Sequence, residues 1–259
     1  MTPATHPRFG ITVLVPARDD AVTVGDTVRS LLAQTCPPAR ILVIDDHSRD
    51  GTAVAARGAG ATVASAPART GSRAACLNFG LTMVGTELVL SLDPDTTLAP
   101  DAIETLLPAL ADAHVAAVSG FVLPRYVRSV WERGRWLEHV VTRALARRFP
   151  GFARHPVAGP GAFTLYRTAR LRAQGGWRPD APVDDLDLAW RLCRAGNTVR
   201  VATEAIGYRL APAGLSAMDA QCRRRARGFV RNVRLHRDAA RSVPAIRAAV
   251  LTAGAEAVI

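Results

Sequence analysis

Leu88-Val89-Leu90-Ser91-Leu92-Asp93-Pro94-Asp95-Thr96-Thr97 opens as a strand and breaks off in an acidic turn. Its first five residues form a short apolar run, which reads as a buried strand. Two carboxylates follow, held one residue apart by a proline. Proline fixes its own φ and pushes the residue before it toward extended conformations. Asp93 and Asp95 are therefore expected in a stiff turn at the carboxyl end of a strand, the edge of an open α/β sheet where ligands bind. Carboxylate oxygens there suit a hard divalent cation that also holds a phosphate, as Mg²⁺ does. The same residues read equally well as an Asp-Pro turn ahead of a helix beginning near Pro100, because Asp-x-Asp is a common triplet. The rest of the chain has to decide.

On the N-terminal side, Ile11-Thr12-Val13-Leu14-Val15 reads as a strand stopped by Pro16. Val24, Val28, Leu31 and Leu32 then recur at helical spacing, giving a helix over residues 22–34. Ile41-Leu42-Val43-Ile44 is a second strand that runs into Asp45-Asp46-His47-Ser48. Asp50-Gly51-Thr52 starts a helix that closes near Gly58, and residues 61–64 form a third strand. Gly58-Ala59-Gly60 follows a helix and precedes a strand, the wrong order for a dinucleotide fingerprint, so it is a helix stop. A helix over residues 72–84 leads into the opening stretch. Another covers residues 100–111, and Val115-Ala116-Ala117-Val118 is a fifth strand. This alternation predicts a parallel, doubly wound sheet, with acidic turns at the carboxyl ends of its second and fourth strands.

Beyond Phe121 the pattern loosens. Residues 127–148, with Trp131 and Trp136, read as a helix. Gly159-Pro160-Gly161 is a loop before a strand over residues 162–166. Asp184-Asp185-Leu186-Asp187 opens a helix whose dipole alone would favour acids in the first turn. Residues 198–201 are the last strand, and a basic helix runs from Leu215 to about Leu235.

The chain has 259 residues and 49% hydrophobic content, enough for one large domain with an appendage. Its net charge is +11, and all 33 basic residues are arginine. Eight of them lie between Arg223 and Arg241 against one acid, Asp238. Such a block suits anionic lipid, nucleic acid or a diphosphate. No nucleic-acid recognition motif or aromatic interleaving accompanies it, which sets nucleic acid aside as a partner. The four cysteines are scattered without metal spacing, as in a reducing compartment, and no signal peptide is evident. The expected location is cytoplasmic, with the arginine helix free to dock on the inner face of a membrane. The apolar tail, residues 243–259, is interrupted by Arg247 and Glu256 and reads as a packing helix.

Five separated features fall in one order: Pro16-Ala17-Arg18-Asp19-Asp20, Asp45-Asp46-His47-Ser48, Asp93-Pro94-Asp95, Asp184-Asp185-Leu186-Asp187 and Gln221-Cys222-Arg223-Arg224-Arg225. Together they resemble the family-2 glycosyltransferases of GT-A fold, in particular the chitin, poly-N-acetylglucosamine, hyaluronan and cellulose synthases. The resemblance runs from about Ile11 to Arg234. It implies an α/β, Rossmann-like, mostly parallel sheet flanked by helices, with basic and amphipathic helices at the C-terminus. A catalytic domain over residues 1–214 and a helical extension over 215–259 are expected. It also implies that Pro16, Ala17, Asp20, Asp45 and Asp46 line the pocket for the nucleotide. Arg73 stands where the family has a lysine. Asp93 and Asp95 would meet Mg²⁺ or Mn²⁺, Asp185 would be the general base, and Gln221 and Arg224 match the Gln-x-x-Arg-Trp motif.

The chemistry asks for these residue types on its own account. A hydroxyl attacking an anomeric carbon needs a base, and a departing diphosphate needs positive charge. Arginine supplies that charge through a two-pronged fork. The resemblance thus implies an inverting, metal-dependent transfer of a hexose or N-acetylhexosamine from a UDP-sugar to a saccharide, lipid-linked or small-molecule acceptor. Two departures bear on this. Arg225 replaces the motif's tryptophan, and the synthases' membrane helices have no counterpart in the sequence. Both point toward single transfers instead of polymer export. They also keep open a catalytically silent, nucleotide-sugar-binding relative that acts as a scaffold or partner subunit.

Overall fold

The computed structural model describes residues 10–126, 133–134, 136–137, 140–141, 161–181, 183–210, 215–244, 246–248 and 250; the side chains of Gln221 and Arg225 lie outside that description. The chain runs β1 (Ile11–Ala17), α1 (Val24–Leu32), β2 (Arg40–Asp45), α2 (Thr52–Gly58), β3 (Thr62–Ser65), α3 (Arg73–Thr82), β4 (Leu88–Leu92), β5 (Thr96–Leu98) and α4 (Ala102–Leu106). A 3₁₀ turn, Leu107–Ala111, follows α4. Then come β6 (Val115–Pro124), β7 (Phe163–Arg167), α5 (Thr168–Ala173), α6 (Asp184–Arg194), β8 (Thr198–Arg209), α7 (Leu215–Leu235) and α8 (Arg237–Ser242).

One sheet collects the strands in the order β3-β2-β1-β4-β7-β6-β8-β5. The β3-β2, β2-β1, β1-β4 and β6-β8 pairs are parallel, whereas β7 runs antiparallel to both neighbours and β5 antiparallel to β8. The chain leaves β1 in one direction and returns to its other side as β4. The order therefore reverses between β1 and β4, which is where open sheets of this kind hold ligands.

Successive residues of a strand face opposite sides, so a strand covered on both faces must be apolar throughout. Val13 and Val15 of β1 and Leu88, Leu90 and Leu92 of β4 pack in one core with α1, α2 and α4. Leu14, Leu42, Ile44 and Val89 pack in the opposite core with α3 and α6. Phe229, Val233, Ala240 and Val243 from the C-terminal helices lie against that second core, and Ile246 is buried in it.

The predicted strands and helices of residues 10–120 are present. Four features were not expected. The short strand β5 follows the acidic turn directly, and its partner is β8, more than a hundred residues away. β6 and β8 are more than twice as long as predicted, because they pair with each other beyond Phe121 through a register shift. Pro108 falls in the 3₁₀ turn that replaces the second half of the predicted helix over 100–111. Helix α5 is short and precedes Gly175 and Gly176, both at positive φ. Of the helix expected over residues 127–148, the described positions are helical and the remainder lies outside the described residues. No described helix is long and apolar enough to cross a membrane.

Candidate active site

A cavity of about 310 Å³ opens at the carboxyl ends of β1, β2 and β4. Pro16, Ala17 and Asp20 line it after β1, Asp46 after β2, and Asp93, Pro94 and Asp95 after β4; Arg73 and Arg209 complete it. Seven of the residues singled out in the sequence thus share one cavity. Asp45 does not join them: it ends β2 as a buried side chain whose Oδ1 accepts the Ser48 amide at 3.3 Å.

The walls are tied down locally. Asp20 accepts the Arg18 amide on Oδ2 at 2.7 Å, and its own amide donates to Thr52 Oγ1 at 2.8 Å. Burial raises its pKa, and the nearby carboxylates of Asp95, Asp50 and Asp93 add to the rise against the Arg18 amide. Asp46 spends both oxygens on backbone, accepting from Thr70 N at 2.6 Å and Gly71 N at 2.9 Å. That grip holds the loop before α3, where Gly71 adopts a left-handed φ of +60° and the Ser72 side chain caps the helix. The first residue of α3 is then Arg73, delivered to the cavity.

Arg73 is the hub of the site. Its Nε donates to Asp93 Oδ1 at 2.9 Å, Nη1 to Asp185 Oδ2 at 2.8 Å and Asp184 Oδ2 at 3.0 Å, and Nη2 to Ser91 Oγ at 3.0 Å and the Gly161 carbonyl at 3.2 Å. Burial works against its charge, but Asp185, Asp93 and Asp184 outweigh it and hold its pKa well above the usual value. One guanidinium therefore joins the acidic turn after β4 to the first turn of α6.

Asp185 is 3% exposed. Its Oδ1 accepts from Trp177 Nε1 at 3.0 Å and Tyr166 Oη at 3.2 Å, leaving Oδ2 on the Arg73 side. Burial, with Asp184 and Asp93 nearby, pushes its pKa up to about 8 against the pull of Arg73 and the Trp177 hydrogen bond. A base with that pKa is matched to proton transfer near neutrality. Asp187, two residues on, plays a different part: Arg191 Nε and His236 Nε2 each contact it at 2.7 Å, so it pins α7 and α8 to α6.

Arg209 was not picked out in the sequence. Register pairs it with Thr96 across β5 and β8, and this sets its guanidinium on the acidic turn. Its Nη2 donates to Asp93 Oδ2, and its Nε donates to Asp95 Oδ1 at 2.9 Å. Burial opposes the Asp93 charge, yet Arg73 and Arg209 together keep its pKa below the usual carboxylate value. Trp177, Tyr166 and Ser91 were also missed.

Asp93 and Asp95 are hard oxygen donors, as Mg²⁺ or Mn²⁺ requires. Thr96 and Arg209 both donate to Asp95 Oδ1, and among the described residues no donor meets Oδ2. No three acid, histidine or cysteine side chains among the described residues form a metal cage. The protein therefore fits a cation held by one or two carboxylates whose remaining ligands come from phosphate and water.

Arg224 lies elsewhere. It is exposed on α7, in a groove of about 630 Å³ with Arg223, Arg227, Arg231, Ser216 and Asp219. The structure does not place it among the residues lining the acidic cavity. The backbone of Gln221 is helical within α7, and its side chain lies outside the described residues.

Comparison with known proteins agrees with this geometry. Residues 7–228 match the model of the glycosyltransferase-like family 2. The poly-beta-1,6-N-acetyl-D-glucosamine synthase of Staphylococcus epidermidis is 25% identical over 224 residues, covering 85% of this chain and 54% of that protein. The chain thus spans about half the length of the curated relatives it matches. Among solved structures, the mannosyltransferase PcManGT from Pyrobaculum calidifontis, in complex with GDP-Man and Mn²⁺, superposes with a TM-score of 0.70 at 22% identity, over 98% of this chain and 76% of that one. Glucosyl-3-phosphoglycerate synthase from Mycobacterium tuberculosis, in complex with Mn²⁺, UDP and phosphoglyceric acid, gives 0.62 at 17%, over 86% and 78%. The eight-stranded sheet flanked by helices is the GT-A fold of those glycosyltransferases. With a family match over most of its length, an acidic turn at the sheet's switch point and a buried carboxylate beside it, the chain belongs to the glycosyltransferase-like family 2.

Proposed function

We propose that this chain moves a hexose or N-acetylhexosamine from a UDP-sugar to an acceptor hydroxyl, one residue at a time, with inversion at the anomeric carbon and with Mg²⁺ or Mn²⁺. The observation that carries the proposal is the reach of Arg73, 2.9 Å from Asp93 on one side and 2.8 Å from Asp185 on the other. The proposed leaving-group site and base site are joined through one side chain, close enough for donor and acceptor to be held together.

In this reading Pro16, Ala17, Asp20 and Asp46 border the base and ribose, and Asp93 and Asp95 face the diphosphate. Asp95 and Asp93 would hold the cation, which when bound would supply positive charge for the leaving oxygen. The acceptor oxygen attacks the anomeric carbon, its proton passes to Asp185 Oδ2, and the bond to the diphosphate breaks with its electron pair. Arg73 lies where it can steady both charges. Gln221 and Arg224 serve the diphosphate or the acceptor from α7. In this reading residues 1–214 hold the donor on the sheet, and the helical extension over 215–259 meets the acceptor.

Nucleotide binding is the direct test. UDP titrated with and without Mn²⁺ is expected to bind in the 310 Å³ cavity and to bind more tightly with the metal. GDP is run in parallel because one structural neighbour holds GDP-Man. Binding that ignores the metal, or no binding, removes the proposal. A silent nucleotide-sugar-binding scaffold is the second reading, favoured by the near-complete enclosure of Asp185. UDP released from a panel of UDP-sugars and acceptors would exclude it.

The arginine groove on α7 supports docking on the inner face of a membrane with anionic lipid, with a lipid-linked acceptor delivered there. Vesicles containing anionic lipid are expected to pellet the protein at low salt and release it at high salt. Absence of lipid-dependent pelleting at low salt rejects this part. Nucleic acid is not among the proposed partners.

A further inference from the structure

Arg209 bridges the two carboxylates of the acidic turn. Its two nitrogens reach across to Asp93 Oδ2 and Asp95 Oδ1, while Arg73 takes Asp93 Oδ1. Three of the four carboxylate oxygens of the turn are therefore already paired with guanidinium, and only Asp95 Oδ2 is without a donor among the described residues. The Asp93 side chain is 16% exposed and that of Arg209 24%, so the pair is partly shielded from water. A divalent cation approaching this turn alone meets a fixed positive charge within hydrogen-bond distance of both its ligands. The same guanidinium lines the cavity in which a diphosphate would sit.

We infer that Arg209 is an exchangeable counter-ion for the turn. It holds Asp93 and Asp95 neutralised while the site lacks nucleotide, and it moves onto the diphosphate when nucleotide and cation arrive together. The inference rests on the donor-site reading above. Arg209 is a ligand-contacting residue in this account: its side-on grip through Nε and Nη2 comes from the Thr96–Arg209 register of β5 and β8, which aims the guanidinium at both carboxylates at once. Exchange makes cation binding conditional on nucleotide. In the nucleotide-free protein the cation must displace a bidentate arginine, whereas a bound diphosphate offers that arginine a new partner.

The test measures Mn²⁺ binding to the full chain without nucleotide, by loss of the free-ion electron paramagnetic resonance signal. Arg209→Gln is expected to bind nucleotide-free Mn²⁺ at least ~10-fold more tightly than the wild type, since one competing charge is gone. In the presence of Mn²⁺ it is expected to bind UDP more weakly, because the diphosphate loses a partner. Arg209→Lys keeps the charge but cannot bridge two carboxylates, so it should fall between the two and serves if the glutamine variant does not fold. Unchanged Mn²⁺ affinity in a folded variant overturns the inference, even if UDP and Mn²⁺ still bind the wild type together. If neither protein binds Mn²⁺ with or without UDP, the donor-site reading fails and takes this one with it.

Discussion

Asp185→Asn tests the assignment of the base. The wild-type carboxyl titrates near 8, raised chiefly by burial. At pH 7 about a tenth of the molecules then carry the carboxylate and at pH 6 about a hundredth, so transfer limited by this base climbs roughly tenfold per pH unit and levels off above 8. The asparagine variant removes the proton acceptor. A lost general base costs ~10²–10⁴ in rate, and the residual activity should no longer follow the pH slope. UDP binding is expected to survive nearly intact. Arg73 keeps its contacts to Asp93, Asp184, Ser91 and Gly161, and Asp185 does not line the nucleotide cavity.

Stability supplies an independent readout of the same group. An unfolded aspartyl carboxyl releases its proton near ~3.9, whereas the folded one holds it to about 8. Between those values the native state binds more protons than the unfolded state, so wild-type stability falls as pH rises through that window. The asparagine variant lacks this dependence, and its melting temperature should gain on the wild type from pH 5 to pH 9. Transfer rates at saturating donor, UDP affinity by calorimetry and melting curves across pH decide the matter together. A wild-type rate that is flat from pH 6 to 8, or a variant that loses UDP binding and transfer equally, refutes the assignment of Asp185 as the base.

Much of the acidic cavity was legible because its residues lie next to strands. Asp46, Asp93 and Asp95 follow apolar runs, and a parallel sheet brings such ends to one edge whatever the side chains. Arg209 and Trp177 left no such mark. Arg209 reaches Asp95 through the pairing of a three-residue strand with the end of β8, a contact between positions 114 residues apart that no local periodicity encodes. Trp177 reaches Asp185 because Asn78 holds it from α3. The Asn78 side chain donates to the Trp177 carbonyl at 2.6 Å and accepts its amide at 2.9 Å. The alternation of strand and helix gave way after Phe121, where β6 and β8 continue as a paired ribbon carrying both buried and half-buried positions. The acids of α6 show how little a motif says about individual members. Three stand in the first turn, and the helix dipole would accept all of them, yet burial raises the pKa of Asp185 while ion pairing makes Asp187 a clamp.

Two further substitutions probe how that arrangement is held. His236→Ala leaves Asp187 with Arg191 and Arg178 but without its hydrogen bond to the residue that joins α7 and α8, and loss of a buried hydrogen bond to a charged group costs ~1.5–3 kcal/mol. Urea denaturation should show that loss, and a variant within ~0.5 kcal/mol of the wild type would mean the clamp does not secure α7. Gly176→Ala acts on the base from a distance. Gly176 has φ +74°, and an added Cβ would lie 2.3 Å from Asn78 Oδ1, the atom that accepts the Trp177 amide. Backbone strain alone costs ~1–3 kcal/mol, and relieving the clash pushes Asn78 off Trp177, whose indole holds Asp185 Oδ1 at 3.0 Å. Freed of that donor, the carboxylate loses a bond that lowers its pKa, so the midpoint of the pH–rate profile should move above the wild-type value while UDP affinity stays unchanged. A profile that keeps its midpoint in the folded variant would show that Trp177 orients Asp185 without setting its charge.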